Sequence, residues 1–147
     1  MAQEIDPRAP PLRWLWLALC LALAACSRPA DEAALREAVV ALRDAVEARE
    51  TDAVVSALTE DFAGPQGMDR QALRRLLVVQ FLRNRSISVT LGPIETRIQG
   101  ERAEADFRAL LAGFDQQLLP ARADGYRLRT GWRVEDGRWR LEWAQWE

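Results

Sequence analysis

The segment GWRVEDGRWRLEW, residues 131–143, carries the clearest indication of fold in this chain. At its centre, Asp136 and Gly137 form the pair that favours a two-residue β-hairpin turn. Apolar and charged residues alternate on both sides of the turn, and this alternation predicts two antiparallel strands with one buried face. In the second strand the alternation assigns three residues to the inward face, Trp139, Leu141 and Trp143.

The same period of two extends toward the N-terminus through residues 126–134 and 103–111. The residues predicted to face inward there are Ala103, Ala105, Phe107, Ala109, Leu111, Tyr126, Leu128, Thr130, Trp132 and Val134. Two shorter strands are predicted at residues 87–91 and 94–98, separated by Gly92 and Pro93, with a turn at Gly100. The C-terminal two-fifths of the chain is therefore expected to be an antiparallel sheet.

Before residue 84 the apolar residues follow a helical period instead. Leu35, Val39, Leu42 and Val46 recur at spacings of four, three and four, which predicts an amphipathic helix with Asp31 as its N-cap. A second, shorter helix is expected to begin at Thr51 or Asp52. It carries Val54, Val55 and Leu58 and ends in residues 59–62.

A third helix is predicted to begin after Asp69, whose side chain is suited to cap it. Its residues 73–82 are apolar on most sides, so we expect this helix to be well buried. The resulting fold class is α+β, with three N-terminal helices packed on a curved antiparallel sheet to form a cone.

Two segments of this pattern resemble a known superfamily: Thr-Glu-Asp-Phe at residues 59–62, and GWRVEDGRWRL at residues 131–141. Together with the order of elements, they resemble the nuclear-transport-factor-2-like proteins, which include the SnoaL and ketosteroid-isomerase types. The resemblance covers residues 31–147. It implies a pocket between the helices and the concave sheet face, but this fold hosts enzymes, binding proteins and dimerisation modules alike.

The N-terminal region has the character of an export signal. Residues 14–25 form an apolar run of about a dozen residues, whereas a membrane-spanning helix needs about 20. The run ends in Leu-Ala-Ala-Cys at residues 23–26, which resembles the lipobox of bacterial lipoproteins. The resemblance implies that residues 1–25 are removed and that Cys26 carries the lipid. Residues 26–30 then form a short tether to the domain of residues 31–147.

The lipobox resemblance also implies a location. Ser27 follows the cysteine, and the absence of Asp there favours the outer membrane of a Gram-negative cell, on its periplasmic face. Several acyl chains anchor a protein stably, so the membrane is an expected partner. A retained membrane-spanning anchor and a simple cleaved signal are the alternatives. Cys20 lies within the signal, so a mature chain starting at Cys26 has no pair of cysteines for a disulfide.

Composition excludes several classes of function. The net charge is −2, with 20 basic and 22 acidic residues, which argues against binding to nucleic acid. All basic residues are arginine. There is no histidine, so the commonest general base and the commonest metal ligand are both missing. The sequence contains no cysteine or histidine metal cluster and no phosphate-binding glycine loop, so we expect no metal and no cofactor.

The predicted inward rows supply the candidate site residues. The candidates for lining the pocket are Thr96, Phe107, Tyr126, Thr130, Trp132, Trp143 and Gln145. Asp61 and Tyr126 are the candidates for catalysis, as a carboxylate base and a hydroxyl donor of the ketosteroid-isomerase kind. Each also has a structural interpretation, Asp61 as a residue at a helix end and Tyr126 as a residue at the rim of the core.

The predicted outward rows are charged and of mixed sign. They indicate either a solvated face with cross-strand ion pairs or a polar protein-contact face through which the chain forms a homodimer. Trp146 is predicted to face outward, and residues 113–120 are either a lid or contact segment or a cap on the cone. Two functions remain open. One is non-catalytic binding of a small apolar ligand or an envelope protein, and the other is a small isomerase- or hydrolase-like enzyme.

Overall fold

Three α-helices pack against a six-stranded sheet, and the first strand of the sheet lies between the second and third helices. A computed structural model describes residues 28–113 and 125–147, and residues Glu32–Glu147 form one compact unit. The helices are α1 (Arg28–Glu47), α2 (Thr51–Ser56) and α3 (Arg70–Arg83). The strands are β1 (Leu58–Ala63), β2 (Ser88–Leu91), β3 (Glu95–Gln99), β4 (Arg102–Ala112), β5 (Tyr126–Glu135) and β6 (Arg138–Trp146). The predicted α+β class is confirmed.

The sheet is mixed rather than antiparallel throughout. Its strands lie in the order β1-β6-β5-β4-β2, and β3 pairs with β4 beside β2. β1 runs parallel to β6, while the other pairs are antiparallel. β1 was not predicted, because it follows α2 after a single residue and its burial does not alternate. Leu58 and residues 59–62 therefore belong to an edge strand and not to a helix.

The hairpin between β5 and β6 has the predicted turn. Asp136 and Gly137 have φ angles of 51° and 71°, as a type I′ turn requires of both central residues. The predicted inward rows of β4 and β5 also agree with the structure, because Ala105, Phe107, Thr130 and Trp132 are buried. This sheet face and the stripe of α1 form the main core.

The helices depart from prediction at two points. α1 begins at Arg28, so Asp31 lies in its first turn and is not its N-cap. α3 does begin after Asp69, whose carboxylate accepts a hydrogen bond from the backbone N–H of Ala72 at 2.7 Å. However, α3 is not buried on most sides. Its inward face contributes Leu77 and Phe81 to the core, while another face is exposed to solvent.

Candidate functional site

A β-bulge in β6 determines which residues the sheet presents on each face. Gly131 pairs with Trp143, but the next residue of β5, Trp132, pairs with Leu141. Glu142 is thus an extra residue, and the alternation of β6 shifts by one position there. Beyond the bulge, Ala144 and Trp146 pack against the core, so the prediction that Trp146 faces outward is wrong.

The bulge places Trp143 and Gln145 on the outer face of the sheet. The alternation had predicted that both residues face inward. Trp143 lies across from Gly131, which has no side chain, and it occupies the space above the glycine backbone. Gln145 pairs with Arg129, an outward residue. Neither side chain can contribute to a pocket on the concave face.

The remaining pocket candidates are largely engaged in packing. The Nε1–H of Trp132 donates to Thr130 Oγ1 at 2.9 Å, and that hydroxyl donates to the carbonyl oxygen of Ala105 at 2.8 Å. Trp132 is 1% exposed, and Phe107 belongs to the same core. The hydroxyl of Thr96 donates to Glu32 at 3.1 Å. These residues serve the core and the seam between α1 and β3.

Asp61 and Tyr126, the two catalytic candidates, do not converge. The carboxylate of Asp61, on β1, contacts Arg133, which lies seven residues beyond Tyr126 on β5. At about 3.3 Å per residue, that separation along β5 is about 23 Å. Tyr126 is buried on the inward side. The structure therefore provides no single site in which this carboxylate and this hydroxyl act on one substrate.

Asp61 instead belongs to an ion-pair cluster centred on Arg133, here called the Arg133 cluster. The guanidinium donates to Asp61 at 2.8 and 3.2 Å, to Glu135 at 2.6 Å and to Glu142 at 2.7 Å. The hydrogen bonds from Arg133 hold the pKa of Asp61 at about 2, and they raise that of Arg133 itself. Asp61 is already ionised near neutral pH and is poorly suited to accept a proton.

The predicted ion-paired outer face is present on the other strands as well. Arg97 donates to Glu104 at 2.8 Å and to Asp106 at 2.7 Å, and Arg129 lies 3.3 Å from Asp106. The hydrogen bond that Arg97 donates to Glu104 is the main reason that the pKa of Arg97 is raised. Exposed pairs of this kind stabilise a fold only slightly, so their chief effect is to fix the charge pattern of this face.

A separate cleft lies between α1, α2 and the hairpin. It is mainly apolar, has a volume of about 360 Å³, and is lined largely by alanine, so we call it the alanine groove. Its lining includes Ala38, Ala41, Ala45, Ala53, Ala57 and Trp139. Arg138 and Arg140 also line it, and Arg140 donates to the carbonyl oxygen of Ser56 at 2.6 Å.

The alanine groove was not predicted, although the spacing of the alanines in α1 indicates it. Ala38, Ala41 and Ala45 are spaced by three and four residues, which places small side chains along one face of α1 beside its apolar stripe. Small residues on a helix leave space against a neighbouring element. Of the predicted pocket residues, only Trp132 contributes to this groove.

The part of the chain that the structure describes holds neither a metal-binding cluster nor a membrane-spanning helix. Within residues 28–113 and 125–147, no three cysteine or acidic side chains lie close enough to bind a metal ion. Among the same residues, no helix is long and apolar enough to cross a membrane. The predicted signal, Cys26 and most of residues 113–120 lie outside the described residues, so their interpretations remain predictions.

Comparison with known proteins identifies the fold and no closer relationship. No protein-family model matches the sequence, and no curated protein matches it significantly. Solved structures do match. A nuclear-transport-factor-2-like protein of unknown function from Pseudomonas putida KT2440 superposes with a TM-score of 0.65 at 15% identity, over 80% of this chain and 86% of that one.

Two further structures agree with that match. A nuclear-transport-factor-2-like protein from Cytophaga hutchinsonii gives a TM-score of 0.63 at 14% identity, over 76% of this chain and 93% of that one. A protein from Novosphingobium aromaticivorans named "putative aromatic ring hydroxylase" gives 0.66 at 17% identity, over 80% and 87%. The chain thus has the nuclear-transport-factor-2-like fold, and at these identities the likeness extends to the fold alone.

Proposed function

We propose that this protein is a lipoprotein of the outer membrane, anchored through Cys26, whose domain binds a small apolar molecule in the alanine groove. The observation that carries the binding proposal is the groove itself. It combines an alanine-lined surface on two helices with the indole of Trp139, and it is predominantly apolar. Small-molecule sites typically have such a lining, with a few polar groups that fix orientation.

The arginines suggest the chemistry of the ligand. Arg138 is exposed at the turn into β6, and it lines the same groove as Trp139. A guanidinium is suited to a carboxylate or phosphate group, and an indole face is suited to a flat or extended hydrocarbon. The ligand class that fits is therefore an apolar molecule with one acidic group.

Native mass spectrometry tests the binding proposal. The Cys26→Ser protein, exported behind a simple cleavable signal and purified from the periplasm, should carry an additional small mass. Ala41→Trp should remove that mass by filling the groove, whereas Ala34→Trp, an exposed alanine of α1 outside the groove, should retain it. An unliganded protein, or equal loss in both variants, would contradict binding in the groove.

The anchor has its own test. Expressed in a Gram-negative host, the wild-type chain should yield a mature species that begins at Cys26 and carries acyl mass, in the outer-membrane fraction. Cys26→Ser should lose the acyl mass and leave the membrane. Recovery of an unmodified Cys26 would exclude the lipid anchor without affecting the groove.

A protein-contact function is the second candidate, and Trp143 favours it. The bulge places this large side chain on the outer sheet face, beside Glu142 and the Arg133 cluster. Tryptophan and arginine are enriched at protein interfaces. Trp143→Ala is expected to weaken association through this face, either with a second copy of the chain or with an envelope partner. Sedimentation measures the first, and crosslinking in the envelope measures the second.

The enzymatic alternative rests on Asp61 and Tyr126. Asp61 contacts Arg133, which lies seven residues from Tyr126 along β5, and this placement counts against joint action. If a cellular phenotype survives Asp61→Asn and Tyr126→Phe but not Ala41→Trp, binding rather than catalysis explains it.

A further inference from the structure

The outer side of α3 combines exposed apolar and basic residues in a way that neither the core nor the proposed groove explains. Leu82 is 81% exposed, and Val78 and Val79 are 41% and 40% exposed. On a helix, positions 75, 78, 79 and 82 form one stripe, so Arg75 lies beside these three residues. We call this stripe, together with Arg83 and Arg85, the α3 face. Charged residues around an exposed apolar strip are typical of helices that lie on a membrane surface.

The charged residues of α3 and of the segment that follows it are all basic. Residues 70–94 contain five arginines and no acidic residue, whereas the whole chain has a net charge of −2. Three of the arginines have interactions within the structure: Arg70 donates to the carbonyl oxygen of Val55, Arg74 pairs with Asp52, and Arg83 is also engaged. No ion pair involves Arg75 or Arg85 among the described residues. These two guanidiniums are thus available to an external anion.

The fold holds the apolar residues outward. Leu77 and Phe81 anchor the opposite side of α3 in the core, and Arg49 donates to the carbonyl oxygens of Phe81 and Asn84 at the end of the helix. Rotation of Leu82 toward the interior would pull Phe81 out of the core. Because core packing and the hydrogen bonds from Arg49 both fix the orientation of α3, the exposure of the α3 face is a property of the native state.

We infer that the α3 face docks on a lipid bilayer that contains anionic headgroups. In this arrangement Val78, Val79 and Leu82 enter the boundary between headgroups and acyl chains, while Arg75 and Arg85 contact phosphate groups. Charge complementarity favours an anionic bilayer, since arginines flank the apolar strip and residues 70–94 contain no acidic residue. The inference does not depend on the lipid at Cys26.

The experiment measures vesicle binding and probe position in the full chain with Cys20→Ser and Cys26→Ser, so that no lipid is attached. An environment-sensitive fluorophore is placed on Leu82→Cys. Leu110→Cys is the matched control, because Leu110 is an exposed leucine on β4, 51% exposed. Vesicles of phosphatidylcholine alone are compared with vesicles that also contain phosphatidylglycerol. Binding through the apolar residues 14–25 contributes equally to both probes.

We expect the probe at position 82, and not the probe at 110, to brighten and shift to shorter wavelength on anionic vesicles. Arg75→Gln with Arg85→Gln should weaken binding to these vesicles by about fivefold for each arginine. Arg108→Gln with Arg127→Gln, exposed arginines of β4 and β5, removes the same charge elsewhere and should have a smaller effect.

Three results would overturn the inference. One is a probe at position 82 that stays in water on bound protein, and another is equal loss of affinity in the two arginine pairs. The third is a fluorescence change that depends on protein concentration without vesicles, which would assign the α3 face to a second copy of the chain. Failure of lipidation at Cys26 would leave all three readouts unchanged, so the two proposals can be separated.

Discussion

The indole of Trp143 occupies the space in which a β-carbon of Gly131 would lie, on the outer face of the sheet. The two residues are directly paired across β5 and β6, and the pair is adjacent to the bulge at Glu142. The glycine is needed here for space and not for its backbone angle, because its φ is not in the positive region. The bulge and this glycine together allow a tryptophan to lie flat on the outer face.

Gly131→Ala is expected to lower the free energy of unfolding by about 1–3 kcal/mol, because the added methyl group overlaps the indole. Gly92→Ala is the control, since a β-carbon there meets Arg108 at ordinary van der Waals distances. Urea denaturation measures both. The double variant with Trp143→Ala should recover most of the loss, and equal losses at positions 92 and 131 would refute the steric explanation.

This pair also shows why the sequence predicted β4 and β5 correctly but β6 only in part. Alternation assigns faces correctly as long as each residue opposes one partner, and a shift of one residue exchanges the two faces. No residue type within residues 138–146 indicates a bulge at Glu142. The inward assignment of Trp143 and Gln145 and the outward assignment of Trp146 are wrong for this single reason.

The core supplies a second prediction, through the buried hydrogen bond from Trp132 to Thr130. Thr130→Val preserves the shape but removes the acceptor, leaving the indole N–H unpaired in the interior. We expect a loss of about 1–3 kcal/mol in the free energy of unfolding. Combining it with Trp132→Phe in a double-mutant cycle should show strong coupling. Additive losses would mean that the hydrogen bond does not contribute.

The Arg133 cluster predicts a dependence of stability on pH. Because the pKa of Asp61 is lowered from 3.8 to about 2 in the folded protein, the unfolded state takes up a proton first as the pH falls. The contribution of Asp61 is therefore complete above about pH 4 and disappears as the pH falls toward 2. Thermal unfolding between these values should show a smaller decline in Tm for Asp61→Asn than for the wild type.

The control for this measurement is Glu60→Gln, which removes a neighbouring and almost fully exposed carboxylate of β1. It should leave the decline in Tm nearly unchanged. High salt should reduce the difference between wild type and Asp61→Asn, because Asp61 is exposed to solvent. A decline of the same size in all three proteins would exclude Asp61 as its source.

The last prediction concerns α3. It tests whether Leu82 contributes to the stability of the fold or is an exposed residue available for contact with another surface. Leu82→Gln should change the free energy of unfolding by no more than about 0.5 kcal/mol, since the side chain already lies in water. Its neighbour Phe81 is buried, and Phe81→Ala should cost about 3–5 kcal/mol. A large loss for Leu82→Gln would mean that Leu82 is covered within the folded chain, and the α3 face would then have no apolar surface to offer a membrane.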